Sequence, residues 1–187
     1  MWLPDRDEAL SILREHIKTE NLVRHMIATE AIMRALARHF GEDEELWGIT
    51  GLLHDMDLEI IDDDMHRHGL RTAEILGERS FPPEGLHAIL AHNGDIIGVE
   101  KEGLFDHALS AAETITGLIV ACTLVYPSRK IADVKPKSIR KRMREKRFAA
   151  NVDRDRIRLI EKTGLPLDDF IPVALSAMSD YAHEIGL

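Results

Sequence analysis

The chain has 187 residues, and apolar side chains recur along almost all of it at intervals of three and four residues. Such intervals place side chains on one face of a helix, whereas a half-buried strand would alternate apolar and polar residues. No alternating stretch lasts long enough to compete with the helical pattern. Between Asn21 and Gly41, for example, one face of the predicted helix carries Leu22, Met26, Ile32, Met33, Leu36 and Phe40. The pattern predicts an all-α helical bundle.

Capping residues, prolines and glycines predict where the helices begin and end. We expect a central helix from Leu104 to about Val125, because this is the longest apolar stretch and its small residues allow close packing. Asn21 is expected to cap the second helix, and Gly41 to end it. The other predicted helices cover about residues 7–18, 42–55, 68–76, 82–92, 153–163 and 168–185.

Length and cysteine content limit the class of protein. A chain of this size suits one domain over residues 1–187, and we expect its core at about 20–125 with residues 126–187 packed on it. The single cysteine, Cys122, excludes an intramolecular disulfide and a Cys-rich zinc module. No segment reaches the roughly 20 uncharged apolar residues of a membrane span, and the N-terminus lacks a signal-peptide pattern. We therefore expect a soluble cytoplasmic protein without a membrane partner.

The charge of the chain is distributed unevenly. A net charge of −9 argues against binding to a nucleic acid polymer, yet residues 129–147 hold ten Lys or Arg against two acids. This basic segment is either a helix face exposed to solvent, a cationic wall facing an anionic ligand, or a surface that meets an acidic patch of another chain. The last alternative leaves a homo-oligomer open.

Four polar residues occupy positions where the apolar pattern predicts burial. His54-Asp55 ends an apolar run, His25 lies on the apolar side of the second helix, and Glu113 interrupts the central helix. Each alone has an ordinary explanation: a hydrogen-bonded core histidine, a polar helix end, or a buried ion pair. An unpaired buried imidazole costs about 1–3 kcal/mol, and a buried carboxylate costs more. One divalent cation shared by all four would satisfy imidazole nitrogen and carboxylate oxygen together.

The order of these residues resembles the HD superfamily of metal-dependent phosphohydrolases, whose signature is a histidine, a His-Asp doublet and a later aspartate on a helical bundle. His68 and His92 match further elements of its binuclear members, and the similarity covers roughly residues 20–125. The segment after Pro127 is similar to a branch of small, uncharacterised HD hydrolases. Two residues depart from the pattern: Glu113 stands where the family has Asp, and Asn93 stands where many binuclear members have a second His.

The resemblance implies an HD-domain fold and a metal-activated water that cleaves a small phosphate ester, with a nucleotide as one substrate class. It assigns one or two divalent ions (Mn, Fe, Co, Ni, Zn or Mg) to each chain. The first ion is expected on His25, His54, Asp55 and Glu113, with a bridging role open for Asp55. His68 and His92 would hold a second ion, or contact the phosphate and protonate the leaving group in a one-metal enzyme.

Three further residues have predicted roles. Asp57 is expected either to accept a proton from the attacking water or to hold a ligand imidazole, and the alternative is a solvated loop that also contains Glu59. Lys135 and Lys137, in the basic segment, are expected to bind substrate phosphate. The alternative functions are a di-iron oxygenase and a binding or signalling module without turnover.

Overall fold

Helices make up all the regular secondary structure of the computed structural model, which describes residues 1–187 and contains no strand. The prediction of an all-α bundle is therefore confirmed. The eleven α-helices are α1 (Arg6–His16), α2 (Glu20–Phe40), α3 (Glu44–Leu53), α4 (Leu70–Glu78), α5 (Pro83–His92), α6 (Gly94–Ile97), α7 (Leu104–Leu124), α8 (Pro136–Arg144), α9 (Arg154–Ile157), α10 (Leu167–Asp180) and α11 (Ala182–Ile185). Two 3₁₀-helices cover Ile131–Asp133 and Arg158–Thr163.

The long helices α2 and α7 lie at the centre of the bundle. The helix α2 packs against α3, α7 and α10, while α7 also contacts α5 and α9. At the contact between α2 and α3, a Cβ at Gly51 would lie 2.9 Å from the Met33 Cγ and 3.2 Å from the Thr29 carbonyl oxygen. The two helices thus approach closely enough that only glycine fits at this position. This close packing holds the C-terminal end of α3 beside α2.

The helix α7 has the length and apolar composition of a membrane span. It is, however, the central helix that its small residues predict: Ala108, Ala111 and Ala112 are fully buried against neighbouring helices. Core helices of soluble proteins pass the same test of length and composition. The packing of α7 therefore supports a core helix of the bundle.

The start of α2 differs from the prediction. The helix begins at Glu20 after Thr19, so Asn21 lies inside its first turn and is not the cap. A distant residue replaces the local cap, because the Glu59 carboxylate accepts hydrogen bonds from the backbone N–H groups of Lys18 and Thr19, both at 2.8 Å. These bonds lower the pKa of Glu59, which is therefore not the free loop residue that we expected. The end of α2 at Gly41, with φ 75°, agrees with the prediction.

The C-terminal third is more broken than predicted. The expected helix over 153–163 is a short α9 followed by a 3₁₀-helix, and the expected helix over 168–185 is interrupted at Tyr181. The short α6 was also not expected. It forms because the chain turns back at Gly94, where a Cβ would lie 1.8 Å from the Val99 carbonyl oxygen. The helix α9 and the 3₁₀-helix after it pack on α7, α11 packs on α2, and α6 packs on α5.

A buried ion-pair network joins α1, α2 and α3. Glu30 is fully buried and accepts hydrogen bonds at 2.9 Å from both Arg6 Nε and Arg34 Nε. Arg34 also donates to the two carboxylate oxygens of Glu45, at 2.8 and 3.1 Å. Gly48 makes room for this arginine, because a Cβ there would lie 2.6 Å from the Arg34 Cγ. Within this network the single Glu30 carboxylate binds both guanidinium groups, which are buried or half-buried.

We expect the variant Glu30→Ala to lower the free energy of unfolding by about 3–5 kcal/mol, because it leaves two guanidinium groups without their buried partner. Urea unfolding followed by circular dichroism measures the change. The control is Glu44→Ala, which removes the exposed partner of Arg38 and should cost less than about 1 kcal/mol. Equal losses in the two variants would contradict a stabilising role for the network.

Candidate metal centre

Four histidines and one aspartate from separate parts of the chain meet near the ends of α3 and α5. His25 lies on α2, His54 and Asp55 directly follow α3, His68 precedes α4, and His92 is the last residue of α5. All of them except His25 are buried. They meet because α3 packs against both α2 and α5, while α4 packs against α5. We call these five residues the histidine cluster.

Asp55 lies at the centre of the histidine cluster. Its Oδ1 is 3.2 Å from the Nε2 atoms of His54, His68 and His92, and its Oδ2 is 3.6 Å from the Nε2 of His25. The Nε2 atoms of His68 and His92 are 2.9 Å apart. The donor atoms form two groups of three that share Asp55, and within each group they lie within 4.8 Å of one another. One group contains His25 and His54, and the other contains His68 and His92.

Hydrogen bonds behind three of the imidazoles assign their tautomers. The Nδ1 of His54 donates to the Gly51 carbonyl oxygen at 2.8 Å, and the Nδ1 of His92 donates to the Ile89 carbonyl oxygen. The Nδ1 of His68 donates to Asp57 Oδ1 at 2.7 Å. Because a neutral imidazole carries one N–H, each ring then presents the lone pair of Nε2 to the centre of the cluster.

The fourth imidazole is oriented by a threonine on α7. The Thr116 hydroxyl donates to the Glu113 carbonyl oxygen at 2.6 Å, so it accepts a hydrogen bond from His25 Nδ1 at 2.9 Å. The Nε2 of His25 therefore also presents a lone pair. Sequence reasoning missed Thr116, although its position three residues after Glu113 places it on the same face of α7.

The donor set fits a divalent cation. Four nitrogen lone pairs and one carboxylate face the same small volume, and such groups repel one another unless a positive charge lies between them. His54 Nε2 is fully buried and has no hydrogen-bond partner in the chain. Hydrogen bonding of the opposite ring nitrogen is the usual way in which proteins orient histidine ligands. Buried histidine and aspartate groups of this kind can hold a metal ion, as predicted.

The electrostatics of the histidine cluster agree with this interpretation. Burial would raise the pKa of Asp55, but interaction with His54 above all, and with His25 and His68, holds that pKa well below its ordinary value when these rings carry a proton. Burial would lower the pKa of His68, but the Asp55 and Asp57 carboxylates outweigh it and raise that pKa to about 10. For His92 burial prevails and lowers the pKa. The cluster thus attracts positive charge, whether a proton or a metal ion.

Asp57 lies behind the histidine cluster. It is fully buried and accepts hydrogen bonds from His68 Nδ1 at 2.7 Å, from the Gly69 N–H at 2.7 Å and from the Thr72 N–H at 3.0 Å. The structure shows the contact that the second expected role of Asp57 needs, a carboxylate that holds the imidazole of His68. It does not place Asp57 in a solvated loop.

Asn93 has a supporting position next to His92. Its Nδ2 donates to the carbonyl oxygens of Met65 and His68, at 2.8 and 3.0 Å. The side chain therefore ties the turn that carries His68 to the end of α5. At the position where a second histidine was considered, this chain therefore has an asparagine that fixes the turn of His68.

Glu113 lies outside both groups of donor atoms. One of its carboxylate oxygens is 3.3 Å from Arg156 Nη2 and also accepts a hydrogen bond from the Thr114 hydroxyl. The same Arg156 Nη2 donates to the His92 carbonyl oxygen. The carboxylate is near enough to act on the pKa of His54, but its role as a metal ligand stays a prediction. Arg156 was not predicted, since nothing in the spacing of the basic residues distinguishes it.

The structure does not bring Lys135 and Lys137 to the histidine cluster. Both are exposed, and the Lys135 N–H lies 3.4 Å from the hydroxyl of Tyr126, just beyond the end of α7. Thr116, which contacts His25, lies near the middle of α7, and the helix rises by about 12 Å from there to Leu124, beyond which the segment with these lysines begins. The arginines of α8 pair elsewhere, as Arg140 does with Asp168 at 2.8 Å. Substrate binding by the two lysines has no support from this placement.

Comparison with known proteins agrees with the predicted family. The family model of the HD domain matches residues 22–123, which is more than half of the chain and includes every predicted metal ligand. No curated protein and no solved structure matches the chain. The match to the HD domain, together with the helical bundle that carries the His-Asp doublet, establishes that this chain belongs to the HD domain family.

Proposed function

We propose that this chain is a divalent-metal-dependent phosphohydrolase that cleaves a small phosphate ester by attack of water. The observation that carries the proposal is the convergence of four histidine Nε2 lone pairs on the Asp55 carboxylate. Members of the HD family are usually metal-dependent hydrolases, which supports the same reaction class. The net charge of −9 and the free, buried Cys122 favour a small substrate in a reducing cytoplasm.

The two groups of donor atoms, which share Asp55, favour two cations over one. His25 and His54 would hold one ion, and His68 and His92 would hold the other. When bound, such cations lower the pKa of a coordinated water toward about 7 and neutralise charge on phosphoryl oxygens. Mn, Fe, Co, Ni and Zn suit a donor set of imidazole nitrogen and carboxylate oxygen best, and Mg suits it less.

The residues of the chain orient the donors and hold a proton. Asp57 fixes the ring of His68, so that its Nε2 points at Asp55 and at His92. In a one-metal enzyme, protonated His68 would contact the phosphate and deliver its Nε2 proton to the leaving oxygen, as the carboxylates on either side stabilise its charge. Burial of the cluster excludes bulk water and strengthens these interactions.

The variant His54→Ala is expected to lose most of its bound metal and its activity, because it removes a fully buried ligand atom. Elemental analysis of protein purified without chelator, together with phosphate release from a panel of esters with Mn, Co, Ni, Mg or Fe, measures both properties. His66→Ala, at an exposed histidine, is the control. Full activity of a folded, metal-free wild-type protein would contradict the proposal.

The same measurements distinguish the alternative functions. Oxygen uptake during turnover by iron-loaded protein would identify a di-iron oxygenase. Tight binding of phosphate esters without release by any metal form would instead identify a binding or signalling module.

We expect Asp57→Asn to weaken metal binding by about 10–100-fold, since residues that hold a ligand histidine contribute this much in other metal sites. Titration with Mn²⁺ measures the affinity, and circular dichroism checks that the variant folds. Asp62→Asn, in the exposed loop that precedes His68, is the matched control and should leave the affinity unchanged. If both variants bind Mn²⁺ as the wild type does, Asp57 does not position His68 for a metal.

A further inference from the structure

A cavity of about 610 Å³ lies between the turn that contains α6 and the segment that contains α9. Residues between 94 and 101 form one part of its wall, residues between 153 and 162 form another, and His107 on α7 completes it. No residue of the histidine cluster lines this cavity. It is therefore a possible binding site apart from the candidate metal centre.

Lys101 is the least satisfied charged group in the wall of this cavity. Its side chain is only 9% exposed, and its one ion-pair partner is Asp95, whose side chain is 76% exposed. The two charged atoms are 3.7 Å apart, which is too far for a hydrogen bond. Since a buried ammonium group is costly without a close partner, Lys101 favours an anion inside the cavity.

Two further cations line the same cavity. Lys162 is exposed and forms no ion pair within the chain. Burial, and after it the positive charges of Lys162 and Lys101, lower the pKa of His107, so both ammonium groups act on one ring in the cavity wall. Arg156 is partly engaged elsewhere, because its Nη2 lies 3.3 Å from Glu113 and donates to the His92 carbonyl oxygen. The two lysines are thus the cations available to a ligand.

The remaining walls limit what kind of anion fits. Only two apolar side chains line the cavity, those of Val99 and Leu159, so a base or another flat apolar group has little surface to pack on. Four exposed carboxylates also line it, those of Asp95, Glu100, Asp153 and Asp155. These carboxylates repel a chain of several phosphates, but they accept hydrogen bonds from hydroxyl groups. The walls therefore favour a ligand with one phosphate group and several hydroxyl groups.

We propose that this cavity is a binding site for a small sugar phosphate, separate from the metal centre. Lys101 and Lys162 bind oxygens of the phosphate group by charge-assisted hydrogen bonds, and the carboxylates bind hydroxyl groups of the sugar. The volume lies within the range of about 300–1,000 Å³ that is usual for sites of small molecules. Because neither lysine contacts the histidine cluster, the site needs neither a bound metal nor the proposed hydrolase activity.

Calorimetric titration tests the ligand class with three compounds. The first is the phosphonate analogue of ribose 5-phosphate, in which a methylene group replaces the ester oxygen and prevents hydrolysis. Ribose is expected to bind about a hundredfold more weakly than the analogue, and inorganic phosphate about tenfold more weakly, because each lacks one set of hydrogen bonds. If ribose binds as tightly as the analogue, or inorganic phosphate does, the site does not select a sugar phosphate.

Two variants test the two lysines. Lys101→Gln and Lys162→Gln should each weaken binding of the analogue about tenfold, because each removes a charged donor. Lys137→Gln, at an exposed lysine of the basic segment, is the matched control and should leave the affinity unchanged. Circular dichroism checks that the variants fold, and the exposed Lys162 provides a measurement if Lys101→Gln does not fold. Wild-type affinity in folded Lys162→Gln, or an equal loss in Lys137→Gln, would overturn the site.

The metal dependence of binding separates this inference from the proposed function. The analogue is expected to bind equally well to Mn²⁺-loaded protein, to chelator-treated protein and to His54→Ala. Binding that needs Mn²⁺, is lost in His54→Ala and persists in Lys101→Gln would place the phosphonate at the metal centre and overturn the site. Binding by chelator-treated protein, together with no phosphate release from any ester by the metal-loaded forms, would support the site and contradict the hydrolase.

Discussion

The Asp55 carboxylate and the four Nε2 lone pairs around it require a positive charge between them, and the surrounding structure meets this requirement. Each imidazole has its Nδ1 bound to an acceptor on the outer side, so no ring can turn its N–H inward without losing a hydrogen bond. Only protons or a metal ion can then neutralise the cluster. The rest of the fold keeps these groups close together in spite of their mutual repulsion.

Helix ends and short turns provide that restraint. His54 and His92 each follow or end a helix, and both donate from Nδ1 to the carbonyl oxygen three residues earlier, which has no partner within the helix. Asp57 and Asn93 fix the turn that carries His68. On another side of the cluster, Arg156 pairs with Glu113 and donates a hydrogen bond to the His92 carbonyl oxygen.

Much of the fold could be predicted, because apolar spacing and helix-ending residues are local signals. The bounds of α5 and α7 and the end of α2 at Gly41 agree closely with the prediction. The errors occur where a distant residue replaces a local signal. The start of α2 depends on Glu59, some forty residues away, and the turn at Gly94 depends on the close approach of Val99. The helix propensity of a local segment does not encode contacts between distant residues.

The sequence by itself determined the helical class, the family and the order of the candidate ligands, since His25 lies on the apolar side of its helix, His54 and Asp55 end an apolar run, and the His-Asp doublet is contiguous. Only the tertiary structure decided which groups support them. Thr116, Asn93 and Arg156 act on partners from other parts of the chain, and Lys135 and Lys137 follow the C-terminal end of α7, while the histidine cluster contacts the middle of that helix at Thr116. Composition tells how many lysine and arginine side chains a segment contains. The packing of the helices decides how far those side chains lie from a site.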